Sequence, residues 1–167
     1  MNGGPRILVY GYGNPGRLDD GLGPALVAAL ERRGLERVTT DSDYQLTVED
    51  AAEVAEHDAT IFVDADVDGP EPFWFDEIEP DGSLGFSSHS VSPQKLLDMS
   101  RGLLGKAVRG YILGIRGYEF NEFGERLSEG AKRNLGAALD FVEEALRDGR
   151  LDRFVRRRRD KAQRGDE

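Results

Sequence analysis

The chain has 167 residues, a formal net charge of −10, an apolar share of 38% and no cysteine. That length suits one well-buried domain, and the lack of thiols excludes disulfides, zinc-thiolate centres and thiol nucleophiles, so any metal has to be held by oxygen and imidazole. The charge is uneven: residues 147–167 hold nine basic and five acidic side chains, or +4, which leaves −14 on residues 1–146. Such a body repels nucleic acid and favours cationic or metal-bearing partners. The longest apolar runs, such as residues 59–63, are strand-sized and far short of a membrane span, and the Gly-Pro stretch after Met1 is no secretory leader, so a cytoplasmic location is expected.

In chain order, residues 6–11 read as a buried strand, and a glycine-rich turn leads from it into a helix beginning near residues 21–23. Pro24 suits that helix's first turn, and Leu22, Leu26, Ala29 and Leu30 form its apolar face. A second strand is expected at residues 37–41, a short helix from Thr47 or Val48 to Ala55, and a continuous apolar strand at residues 59–64, of the kind found in a sheet covered on both faces. Residues 71–78 are predicted as a strand between Gly-Pro and Pro-Asp-Gly turns, with Phe73, Trp74 and Phe75 serving packing. Ser92-Pro93 opens a helix to about Leu104, residues 107–115 form the last strand, and Ser128 caps a final helix striped by Leu135, Ala138, Leu139, Val142 and Leu146. The alternation implies an α/β fold in three layers, a twisted, mostly parallel sheet of about five strands between helices. One domain is expected over residues 1–150, and residues 151–167, with four arginines at 156–159, read as a basic, disordered tail.

Gly11, Gly13 and Gly16 match GxGxxG, the turn that cradles a dinucleotide pyrophosphate. Here Pro15 removes an amide, and Asp19 and Asp20 stand where an anion would need donors, so the turn reads as an acidic, metal-directed site. In an open parallel sheet functional groups gather beyond the carboxyl ends of the strands. Three polar residues are placed to meet there: Asp20 after the first strand, Asp64 at the end of the strand 59–64, and His89 just before a helix. Two carboxylates and an imidazole suit a first-row divalent ion with positions left open for water or substrate. Each also has an ordinary use, as a turn or helix cap or a hydrogen bond to a carbonyl. His57, at the end of a short helix, is read as structural. The rival reading is a dinucleotide site with Asp41 or Asp43 on the ribose; a third is a non-enzymatic nickel-binding chaperone using the same three ligands.

Gly11-Tyr12-Gly13-Asn14 followed by Asp19-Asp20-Gly21-Leu22-Gly23, Asp64-Ala65 after the apolar strand, and Ser88-His89 before a helix together resemble the hydrogenase maturation proteases. These endopeptidases trim the C-terminus of the large-subunit precursor of nickel-iron hydrogenases. The resemblance runs from Arg6 to about Leu146 and implies that Asp20, Asp64 and His89 are both the catalytic and the metal-contacting residues. It implies an aspartic-type or metal-assisted hydrolase with no permanent cofactor, a nickel ion carried by the substrate, and the hydrogenase precursor as partner, with no nucleic acid and no membrane. Asn14 and Arg17 could position the turn or the substrate. Two departures bear on substrate preference: Gly16 where leucine is common in that family, and Tyr44-Gln45-Leu46 where many members have a glycine-containing turn.

Overall fold

The computed structural model describes residues 3–80 and 91–155. Five strands form one sheet in the order β2-β1-β3-β5-β4, where β1 is Ile7–Tyr12, β2 Val38–Asp43, β3 Ala59–Asp66, β4 Phe73–Ile78 and β5 Arg109–Arg116. Four of them run parallel, and β4 pairs with β5 antiparallel at the edge. The helices are α1 (Leu22–Glu31), α2 (Asp50–Ala55), α3 (Pro93–Leu104) and α4 (Glu129–Asp148). The expected α/β architecture, element for element, is the one observed.

Strand periodicity builds the three layers. Ile7 and Val9 of β1 and Ile61 and Val63 of β3 point to one face, where they pack with Leu26 and Leu30 of α1 and Ala138 and Val142 of α4. The alternate residues Leu8, Tyr10 and Phe62 pack on the other face with Val54 of α2 and Leu96 and Leu97 of α3. Both sides of the sheet are therefore dry, which is why β1 and β3 read as unbroken apolar runs rather than alternating ones. Ser92 caps α3 by accepting from the Lys95 amide (3.1 Å), with Pro93 in the first turn and Gly105 closing the helix at φ 67°. Ser128 caps α4 in the same way, accepting from the Ala131 amide at 3.2 Å.

The edge strand carries the aromatics. Phe73 and Phe75 are buried; Phe75 stacks on Tyr111 with centroids 5.5 Å apart, and Phe73 meets Phe141 at 4.9 Å. Trp74 points to the opposite face and is half-buried, over Gly114, its partner in register on β5. A Cβ at Gly114 would stand 2.2 Å from the indole nitrogen, so only glycine leaves room. Beyond α4 the ordered body continues past the boundary expected at residue 150: Leu151, Phe154 and Val155 are buried in the α1/α4 core, and Phe154 meets Phe141 edge-on at 5.8 Å. The four-arginine block lies outside the described residues.

The topology sets the working edge. From β1 the chain goes to β2 on one side, then crosses to β3 on the other, so the crevice beyond the carboxyl ends of β1 and β3 is the switch point where open α/β sheets bind ligands.

Candidate active site

The turn after β1 is built on close backbone contact. A Cβ at Gly11 would lie 2.3 Å from the Gly23 carbonyl oxygen, and one at Gly23 2.6 Å from that of Val63, so the start of α1 rests directly on the ends of β1 and β3. Gly13 has φ +141°, and a Cβ there would be 2.1 Å from the Asp20 carbonyl oxygen. The glycines thus serve strand–helix packing, and a 3-10 turn, Leu18–Gly21, stands between them and the first amides of α1. Gly13→Ala is expected to cost about 2–3 kcal/mol and to displace Asp20; an unchanged urea midpoint would contradict this role.

Within the turn the Asn14 amide donates to Asp20 Oδ2 (2.7 Å), and Asn14 Oδ1 accepts from the Gly16 amide (2.8 Å). Asn14 therefore shapes the turn, and Asp20 is held at the mouth of the crevice rather than spent as a helix cap, since α1 has no side-chain cap. Arg17 lies over Phe123, its guanidinium carbon 5.8 Å from the ring centroid.

Asp19 and Asp20 part company. Asp19 is fully buried, and its carboxylate accepts from the amides of Tyr118 (2.7 Å), Glu119 (3.0 Å) and Ser128 (2.8 Å) and from Ser128 Oγ (2.7 Å). Burial works against its charge, but the donors from Ser128, Glu119 and Tyr118 outweigh it and hold the carboxyl below the usual aspartate range. Of the pair read from sequence as jointly cation-directed, Asp19 is thus a staple between the turn and the segment 118–128, and only Asp20 is left for the crevice.

Asp64 stands near the end of β3, one strand over from that turn. Its pKa is pushed up to about 7, first by burial and further by the charges of Asp20 and Asp66, against the lowering influence of the neighbouring Ala65 amide and Tyr12 hydroxyl. Tyr12 is in turn pushed up, by burial and then by Asp64, so it keeps its proton and remains a donor. Asp66 serves the neighbouring loop instead. Its Oδ2 accepts the Trp74 indole N–H (2.6 Å) and its Oδ1 the Gly69 amide (3.1 Å), which pins the chain where it leaves β3.

Asp20 and Asp64 are thus brought together at the switch point, close enough for the charge of one to raise the pKa of the other. Such a pair is suited to a cation, which would relieve both the repulsion and the cost of burying charge. Among the described residues no group of three His, Cys, Asp or Glu is arranged to hold a metal. His89 lies outside the described residues. The helix it precedes, α3, ends at Leu104 shortly before β5 begins at Arg109, so its capping residue Ser92 faces the carboxyl edge of the sheet. His57 is at the opposite edge, buried, with Nδ1 donating to the Glu53 carbonyl (2.8 Å).

The acids that the dinucleotide reading needed are engaged elsewhere. Asp41 accepts from the Ser42 amide (2.8 Å) and shares a hydrogen bond with Glu53, whose carboxyl is pushed up to about 7 by burial and then by Asp41. Asp43 accepts from the Tyr44 amide at 2.7 Å.

Around the acid pair, the loops leaving the parallel strands expose apolar side chains: Tyr44 (69%) and Val48 after β2, Val67 (60%) after β3, Tyr118 and Phe123 (84%) after β5. A groove of about 420 Å³ between Pro15, Leu18, Pro24, Ala28 and Leu127 adjoins the turn. Sequence reasoning passed over this rim, because single apolar residues in loops carry no periodic signal.

These features define an open, doubly wound α/β domain with paired carboxylates at its switch point. It is the fold of solved structures named as hydrogenase maturation proteases, the family that the sequence motifs resemble. The hydrogenase maturating endopeptidase HybD of E. coli superposes with a TM-score of 0.68 at 24% identity, over 86% of this chain and 93% of that one. The maturation protease HycI of Thermococcus kodakarensis gives 0.67 at 22% identity, over 87% and 95%. The hydrogenase 2 maturation peptidase of a Thaumarchaeota archaeon gives 0.62 at 25% identity, over 84% and 97%. No family profile and no curated protein matches the chain. No helix among the described residues is long and apolar enough to cross a membrane.

Proposed function

We propose that this protein is an endopeptidase that removes the C-terminal extension of a nickel-iron hydrogenase large-subunit precursor after its nickel has been inserted. The observation that carries the reading is the pairing of Asp20 with Asp64 at the switch point of this fold, inside a rim of exposed apolar side chains. An open acidic site suits a cation, and an apolar rim suits a protein surface more than a small metabolite. The likeness to solved structures named as maturation peptidases supports the same conclusion.

In this reading the nickel is part of the substrate. Asp20 and Asp64, with His89 from the segment before α3, contact the substrate's cation and so admit only the metal-loaded precursor. A cation beside Asp64 offsets the burial and the Asp20 charge that raise its pKa, so docking favours its carboxylate form. Hydrolysis adds water across one peptide bond: the water oxygen bonds to the scissile carbonyl carbon, the C–N bond breaks and the departing nitrogen takes a proton. Two roles are available to the site, holding the cation where it polarises the carbonyl or the water, or accepting the proton from that water on one of the acids. The test is substitution: Asp20→Ala, Asp64→Ala and His89→Ala are each expected to stop precursor processing with the fold retained, and near-normal cleavage by all three would refute the assignment. The same experiment separates the enzyme from a nickel-binding chaperone, for which precursor length does not change at all.

A further inference from the structure

We propose that Tyr12 is a positioning residue that aims the Asp64 carboxylate at the metal-bearing substrate, an inference that rests on the role of Asp64 proposed above. Strand register makes the pair. Tyr10 lies opposite Phe62 and Gly11 opposite Val63, so the next step along β1 and β3 sets Tyr12 beside Asp64. Residues in register share a face of the sheet, and Tyr12 packs against the same core layer as Tyr10 and Phe62. Its ring is anchored from below, and the register brings its hydroxyl within electrostatic reach of the Asp64 carboxylate, to which it is placed to donate.

The other side of Asp64 is walled as well. Its register partner on β5 is Gly114, which has no side chain, and the space is taken by the Trp74 indole. Asp64 thus sits in a slot between two aromatic side chains at the centre of a row that runs from Asp43 through Tyr12, Asp64 and Gly114 to Trp74. A carboxylate offers about four lone-pair directions. The Tyr12 hydroxyl is placed to take one of them, and a cation in the crevice needs another. The negative charge of Asp20 pushes Asp64 away from the place where a shared cation has to be met, and the hydroxyl bond opposes that turn. Packing alone would be served by leucine or phenylalanine at position 12; only the hydroxyl can hold the acid.

The experiment uses Tyr12→Phe, which removes one oxygen and keeps the ring. Binding to immobilised hydrogenase precursor is measured in the cold during the initial association phase, before turnover, with nickel-loaded and nickel-free precursor in parallel. Wild type is expected to prefer the loaded form. Y12F is expected to lose about three- to tenfold in affinity for the loaded form, the size of one hydrogen bond, with affinity for the nickel-free form unchanged. Asp64→Asn is expected to erase the preference, and Y12F/D64N to bind the loaded form no more weakly than D64N alone, since Tyr12 acts only through Asp64. Equal weakening of Y12F toward both precursors would show a merely structural tyrosine. Wild-type affinity for both, or a further loss in the double variant, would likewise overturn the inference. If D64N itself keeps the nickel preference, the role proposed for Asp64 fails first, and that of Tyr12 with it.

Discussion

Asp64→Asn is expected to abolish precursor cleavage while making the protein more stable at pH 8. The side chain keeps its shape and one oxygen that can accept from a neighbouring donor, but the charge that meets a cation is gone. The stability gain follows from the direction of the pKa shift. In the folded protein the carboxyl is raised from 3.8 to about 7, chiefly by burial and then by Asp20, so the folded state holds a proton that the unfolded state has released. Between about pH 4 and pH 7 stability therefore falls as pH rises, and above 7 the full cost of the buried charge is present. Allowing for partial solvent screening, that cost is about 1–3 kcal/mol. Urea unfolding should show D64N ahead of wild type by this amount at pH 8, with the gap closing as the pH is lowered toward 4. A variant less stable than wild type at pH 8, or one that still cleaves, would contradict the role given to this residue. The trade of stability for function at one side chain is what a working acid shows.

Asp19→Ala is the substitution expected to damage the fold most. Removing the carboxylate leaves the amides of Tyr118, Glu119 and Ser128 without their acceptor in a fully buried place, and frees Ser128, which also caps α4. Buried donors that lose a charged acceptor cost about 3–5 kcal/mol, or roughly 10 °C in melting temperature for a domain of this size. Here the linkage has the opposite sign to Asp64. The carboxyl is held below the usual range because its donors outweigh burial, so its contribution is present above the unfolded pKa and is lost as pH falls through the folded one. Wild type should lose this stabilisation in acid and D19A should not, which thermal melts from neutral pH down to about 3 will show. A melting temperature in D19A within a degree or two of wild type at neutral pH would mean that the segment 118–128 is held by something else.

The contrast between these neighbours marks what could be read from the sequence. The strands and helices were legible because residues 6–11 and 59–64 are long apolar runs and because Ser92-Pro93 and Ser128 announce their helices. The placement of Asp20 and Asp64 at one edge was legible too, since it follows from strand order in a parallel sheet. Asp19 was not: it has the same chemistry as Asp20, and its partners lie 99 to 109 residues away, beyond the reach of any local pattern. Tyr12 falls in the glycine-rich turn by sequence, and only the extension of β1 to Tyr12 and its register on β3 set it beside an acid. The burial of Leu151, Phe154 and Val155 was hidden by the arginines around them, because a high charge density masks a short apolar stripe.

One experiment bears most directly on the proposed activity. Purified protein is mixed with nickel-loaded and with nickel-free hydrogenase large-subunit precursor, and the precursor's mass is followed. The expected result is loss of a C-terminal peptide from the loaded precursor alone, stopped by Asp64→Asn. An unchanged mass for a cognate, demonstrably loaded precursor, or equal cleavage of both forms, would contradict a metal-gated endopeptidase.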